Sequence, residues 1–185
     1  MDAGEIIENR SSGERIVIRQ SGRDTDGALL SFDLFLAPGA SVPSGHVHPQ
    51  QEERFQLIEG RVRFRVGTNM TILEPGDAVT IPCRTAHRFA NAGEQQAHLL
   101  VEVRPALQME AMLRTAAALS RGGRRPLADL PRPHDLALFL REFKREVQAP
   151  FLPPAPTLAV VRAIAWSVAR LGLDGHYRRT RESGR

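Results

Sequence analysis

Gly45-His46-Val47-His48-Pro49-Gln50-Gln51-Glu52-Glu53-Arg54-Phe55-Gln56-Leu57-Ile58-Glu59-Gly60 is the stretch on which the reading of this chain turns. His46 and His48 are two residues apart, so an extended backbone projects both imidazoles from one face of a strand, as metal ligands require. Beyond Pro49 the chain alternates, with Glu53, Phe55 and Leu57 on one side and Glu52, Arg54 and Gln56 on the other. Phe55 and Leu57 demand the interior and carry Glu53 inward with them, while Glu52 stays in solvent. A carboxylate in an apolar interior is costly unless something positive meets it, and two imidazoles with a divalent cation would do so. Gly60 permits the turn into an alternating strand whose Val62, Phe64 and Val66 face inward.

A second stretch, Gly76 to Asn91, completes the set. Pro82 ends one strand, a short turn follows, and His87 shares a face with the inward Phe89. His87 is therefore the fourth candidate ligand beside His46, His48 and Glu53.

With both stretches read, the chain resembles the cupin superfamily. The first matches the pattern of two histidines one residue apart, a glutamate, and a glycine beyond it. The second carries Gly76, Pro82, His87 and Asn91 at the companion spacing. One departure is Arg84, where the family usually has glycine, and it bears on the turn before His87 rather than on the ligand. The resemblance covers roughly the first hundred residues. It implies a double-stranded β-helix, or jelly-roll barrel, with metal ligands at His46, His48, Glu53 and His87. Some barrels of this family have lost the metal and line a cavity with the inward polar residues instead. Here all four positions carry ligand-competent side chains, which favours the metal.

The remaining sequence supports a mostly β barrel. Strands are expected at 15–19, 28–36, 53–58, 61–66, 69–73, 78–82, 87–91 and 96–103, separated by short turns such as Glu59-Gly60, Gly67-Thr68 and Pro75-Gly76. Residues 1–10 read as a fraying end from which Ile6 and Ile7 could dock on a neighbour. In the strand 28–36, Leu30, Phe32, Leu34 and Leu36 form the buried face. In the last strand Ala97, Leu99, Val101 and Val103 point inward, placing His98 on the polar side and out of reach of the ligand set.

After Arg104-Pro105 the period lengthens from two to between three and four. About three C-terminal helices are expected. The first covers 107–120 and is stopped by Arg121-Gly122-Gly123. The second covers 134–147, beyond a Pro126–Pro133 connector. The third covers 158–171, beyond the stiff 150–156 loop, capped by Thr157 and buried through Val160, Val161, Ile164, Ala165 and Val168. The reading divides the chain into a barrel domain, 1–105, and a helical extension, 106–185. His134, His176, Trp166 and the methionines read as ordinary polar or packing residues.

Composition narrows the function classes. At 185 residues with 42% hydrophobic and 25% charged side chains the chain holds one substantial core. A single cysteine, Cys83, excludes an internal disulfide and reads as an unreactive small side chain. With no leader or membrane-spanning run, a cytoplasmic location and no membrane partner are expected. Residues 1–104 carry 11 Arg against 14 acidic side chains, net −3, and residues 105–185 carry 14 Arg and Lys against 7, net +7. Nucleic-acid binding is disfavoured despite that basic half, because Pro-rich loops split its helices and no tight two-helix turn appears.

Two function classes follow. In the first, the barrel holds one divalent transition metal (iron, manganese, nickel, cobalt, copper or zinc) with positions open to a small-molecule substrate. The protein is then a metal-dependent dioxygenase, isomerase or cyclase in which Glu53 is the catalytic carboxylate. Phe32, Phe55 and Phe89 would be apolar walls, and the chain a homodimer, as cupins frequently are. In the second, the barrel is a non-catalytic sensor of a small molecule, with the helices reporting to a partner.

Overall fold

The computed structural model describes residues 4–9, 12–42, 45–120, 132–148 and 154–183. Among these residues nine strands form two antiparallel sheets: β1 (Ile6–Asn9), β2 (Glu14–Gln20), β3 (Leu30–Leu36), β4 (Glu52–Glu59), β5 (Val62–Val66), β6 (Asn69–Leu73), β7 (Ala78–Ile81), β8 (His87–Asn91) and β9 (Ala97–Arg104). The larger sheet runs β1-β2-β3-β9-β4-β7 and the smaller β6-β5-β8, the arrangement of a jelly roll. Ser41 and His46 add irregular edge contacts to the smaller sheet through bridges to Ala90 and to His87.

Alternation decides which residues the sheets enclose. Leu30, Phe32, Leu34 and Leu36 of β3, Phe55 and Leu57 of β4, Val62 and Phe64 of β5, and Leu99, Val101 and Val103 of β9 are all buried. Phe55, Phe64 and Phe89 meet between the sheets with ring centroids 5.1 to 5.3 Å apart. Each fully buried ring contributes roughly 2–3 kcal/mol of apolar burial. Gly60 sits at φ 87°, and a Cβ there would lie 2.8 Å from the backbone of Ala97, so glycine is required both by conformation and by the close passage of β9.

Part of the segment expected to fray is a strand. Ile6–Asn9 pairs with β2, and Ile7 enters the core while Ile6 remains exposed. Four amide groups with a ready-made sheet edge beside them outweigh the polar composition.

Among the described residues four helices follow the barrel, where about three were expected: α1 (Met109–Ser120), α2 (Pro133–Glu142), α3 (Pro154–Arg170) and α4 (Gly175–Ser183). Met109, Met112 and Ala117 of α1 share the barrel's apolar core, as does Phe143 just past α2. The basic sequence of α4 hid it from a search for an apolar stripe. It is held by Tyr177, which donates to Glu142 at 2.6 Å, and by Arg181, which donates to Glu142 at 2.9 Å. Burial and the nearby Glu142 carboxylate raise the Tyr177 phenol well above its ordinary range.

The third helix begins at Pro154, so Thr157 lies inside it and is not its cap. Of its expected buried face only Ala165 and Val168 are buried, whereas Val160, Ile164 and Trp166 are exposed. The expected Gly122-Gly123 stop and most of the two Pro-rich connectors lie outside the described residues.

Candidate metal centre

His46 and His87 form a hydrogen-bonded antiparallel pair, with His46 N to His87 O at 3.1 Å and His87 N to His46 O at 3.0 Å. Directly opposed residues of such a pair present side chains on the same face. The two rings consequently stand 4.3 Å apart, centroid to centroid. His48, two residues along, follows onto that face, its ring centroid 5.3 Å from that of His87. Glu53 reaches the same point from the opposite sheet, where β4 is flanked by Ile81 and Val103. One ligand atom from each of His46, His48, Glu53 and His87 lies within 4.8 Å of the other three. Three of the residues are buried, and His46 is the least enclosed.

The chemistry of the donors is unusually constrained. His87 directs Nδ1 at the Thr85 carbonyl oxygen, 3.2 Å away, and His48 directs Nδ1 at the carbonyl oxygen of Glu146. A carbonyl only accepts, so both rings carry their proton on Nδ1 and aim the Nε2 lone pair inward. There His87 Nε2 lies 2.9 Å and His48 Nε2 3.3 Å from Glu53 Oε2. Among the described residues, none of these three buried atoms has a hydrogen-bond partner. Lone pairs packed against a carboxylate oxygen repel unless a positive charge lies among them. A divalent cation meets that need, and the residues present fit one.

In the absence of a metal the proton takes this role. Burial pushes the Glu53 carboxyl up, but the facing His48 and His87 rings outweigh it and hold Glu53 well below the usual carboxylate range. Burial pushes the His48 imidazole down, yet the Glu53 carboxylate and the Glu146 carbonyl outweigh it and raise it above its ordinary 6.5.

The turn before His87 keeps glycine geometry without glycine. Arg84 adopts φ 62°, and its amide donates to the His48 carbonyl at 2.8 Å, tying the two histidine segments together. Left-handed backbone costs a non-glycine residue about 1 kcal/mol. Arg84→Gly should therefore leave stability within about 1 kcal/mol of the parent, because relief of strain is offset by greater freedom of the unfolded chain. A urea titration would check this.

His98 is on the outer face, as expected from its register, but it is not simply a surface residue. Its Nε2 is 2.7 Å from Asp33 Oδ1, its ring stacks on Phe35 at 4.5 Å, and Arg19 donates to Asp33 at 2.6 Å. His176 likewise has a partner, Asp135, at 2.8 Å. Cys83 is exposed. Sequence reasoning missed the two carbonyls that orient the histidines, since a backbone acceptor leaves no residue-type signal.

Fold and site together define a jelly-roll protein with a largely buried cluster of three imidazoles and one carboxylate that could hold a metal ion. Residues 33–103 match the family model described as the cupin domain. The chain belongs to the cupin superfamily through this barrel. It is 46% identical over 48 residues to the oxidoreductase OpS7 of Beauveria bassiana, covering 25% of this chain and 16% of that protein. It is 30% identical over 83 residues to the polyketide synthase CurC of Streptomyces cyaneus, covering 44% of this chain and 53% of that one. The chain thus spans about a sixth of the first relative and about half of the second. A crystal structure titled a predicted oxalate decarboxylase, from Thermotoga maritima, aligns with a TM-score of 0.49 at 22% identity, covering 55% of this chain and 90% of that one. Among the described residues no helix is long and apolar enough to cross a membrane.

Proposed function

We propose that residues 1–105 form a cupin domain, extended by residues 106–185, that binds one divalent transition metal through His46, His48, Glu53 and His87 and acts as a small-molecule enzyme. The observation that carries this reading is the convergence of three buried, unpartnered atoms, His48 Nε2, His87 Nε2 and Glu53 Oε2. When bound, the ion supplies Lewis acidity and coordination positions for a chelating substrate.

The chain's own residues limit the chemistry. Thr85 and Glu146 hold the two imidazoles in one tautomer. Phe55, with its centroid 6.4 Å from that of His87, forms an apolar wall beside the cluster and, with Phe89, keeps water from that side. His46 is the most exposed of the four. Glu53 is the catalytic carboxylate of this reading. Glu53 is held below the usual carboxylate range and so stays ionised, an acceptor for the proton of an enol or phenol hydroxyl.

Enediols, flavonols and β-diketones carry such hydroxyls beside a second oxygen, so they both chelate and acidify. Similarity to an oxidoreductase and to a polyketide synthase protein supports a substrate of this kind, with dioxygenase, isomerase or cyclase chemistry. We place the protein in the cytoplasm as a homodimer.

Elemental analysis of purified protein is expected to find about one transition-metal ion per chain. The loaded protein should then consume oxygen, or change the ultraviolet spectrum, with one of these three substrate classes. Protein that takes up no ion from iron, manganese, nickel, cobalt, copper or zinc salts would overturn the reading.

A further inference from the structure

The segment after α2 returns to the barrel and grips the strand that bears the histidines. Phe143 is fully buried in the barrel core, and the turn that follows is closed by Glu146 N to Phe143 O at 3.0 Å and Val147 N to Phe143 O at 2.9 Å. Gln148 then exchanges two backbone hydrogen bonds with Val47, at 2.9 and 3.0 Å. Val47 lies between His46 and His48 in the sequence, so this pairing holds the histidine strand from the side opposite β8. Between Phe143 and Gln148 the Glu146 carbonyl accepts the His48 Nδ1 proton.

Glu146 is itself anchored. The residue is 2% exposed, and Oε1 accepts from the main-chain amide of Gln108, 3.2 Å away, at the approach to α1. A polar group buried in this way is costly unless a donor meets it. The anchor holds the carbonyl of the same residue at the one place that fixes the His48 tautomer with Nε2 inward.

We propose that residues 143–148 are a clamp belonging to the metal centre, with Glu146 its positioning residue, so that docking of the C-terminal helices sets the affinity of the barrel for its ion. The proposal rests on the metal reading above. Coupling of this kind is reciprocal, and ion binding must in turn tighten the clamp.

The test uses the full chain and Zn²⁺ in competition with a chromophoric chelator. Glu146→Ala, which frees the anchor, should weaken Zn²⁺ binding about 10- to 100-fold, the range for loss of a group that orients a ligand. Glu146→Gln retains an acceptor for the Gln108 amide and should stay within about threefold of the parent. Arg61→Ala, which removes an exposed ion pair with Glu74 outside this segment, should also stay within about threefold. Hydrogen exchange of the parent should slow at the Val47 and Gln148 amides when Zn²⁺ is added, and this measurement decides the matter alone if Glu146→Ala does not fold. Equal affinity of Glu146→Ala and parent, or unchanged exchange in the parent, overturns the clamp while leaving the metal reading standing. A parent that binds no ion overturns both.

Discussion

His87→Ala should empty the centre, lowering ion affinity by more than about 100-fold, because even residues that merely orient a ligand are worth 10- to 100-fold. The imidazole is 1% exposed and its Nε2 stands 2.9 Å from Glu53, so alanine leaves a polar cavity and a carboxylate short of one counter-group. Loss of one partner from a buried pair costs about 3–5 kcal/mol, so the metal-free variant should also unfold at lower temperature than the metal-free parent. A further deficit appears when ion is present. The parent gains about 2.7 kcal/mol at an ion concentration 100 times its dissociation constant, whereas the variant gains almost nothing. Elemental analysis after dialysis and melting curves with and without Zn²⁺ measure both effects. His98→Ala is the matching control. Its ring faces Asp33 on the outer surface, so ion content should not change. Full ion content in His87→Ala would remove His87 from the ligand set.

The metal-free and metal-loaded proteins should respond to pH in different ways. Glu53 is held below its ordinary 4.5, so its contribution is present above that value and is lost as pH falls through the lower folded value. His48 is raised above its ordinary 6.5, so its contribution is present below 6.5 and is lost as pH rises through the higher folded value. The metal-free cluster therefore stabilises the fold most between about pH 4.5 and 6.5. An ion requires neutral imidazoles, and the raised proton affinity of His48 makes the proton a stronger competitor. The stabilisation gained from the ion should thus grow as pH rises from 6 to 8, the range in which the metal-free protein loses its own. Melting temperatures measured with chelator and with Zn²⁺ across this range would diverge with rising pH. Parallel curves would show that the proton and the ion do not share the site.

Much of the centre was legible because a strand's alternation carries polar and apolar residues inward together. Phe55 and Leu57 had to be inside, so Glu53 was as well, and the same argument placed His87 with Phe89 and kept His98 out. Helical faces were less legible. The apolar stripe of α3 is wider than its partners cover, and Val160, Ile164 and Trp166 remain exposed where the pattern alone placed two of them inside or called them packing. No apolar stripe announced α4, since ion pairs and the Tyr177–Glu142 bond hold it.

By itself, then, the order of residues determined the barrel, the faces of its strands and the four side chains that meet, all of which depend on periods of two and on short turns. Only the tertiary structure decided that residues 143–148 return to the histidine strand, because that contact joins His48 to Glu146 across 98 positions. Its acceptor is a backbone oxygen that every residue type possesses. Contacts written in side-chain type can be read along a chain, whereas those made by the main chain become visible only once the chain has folded.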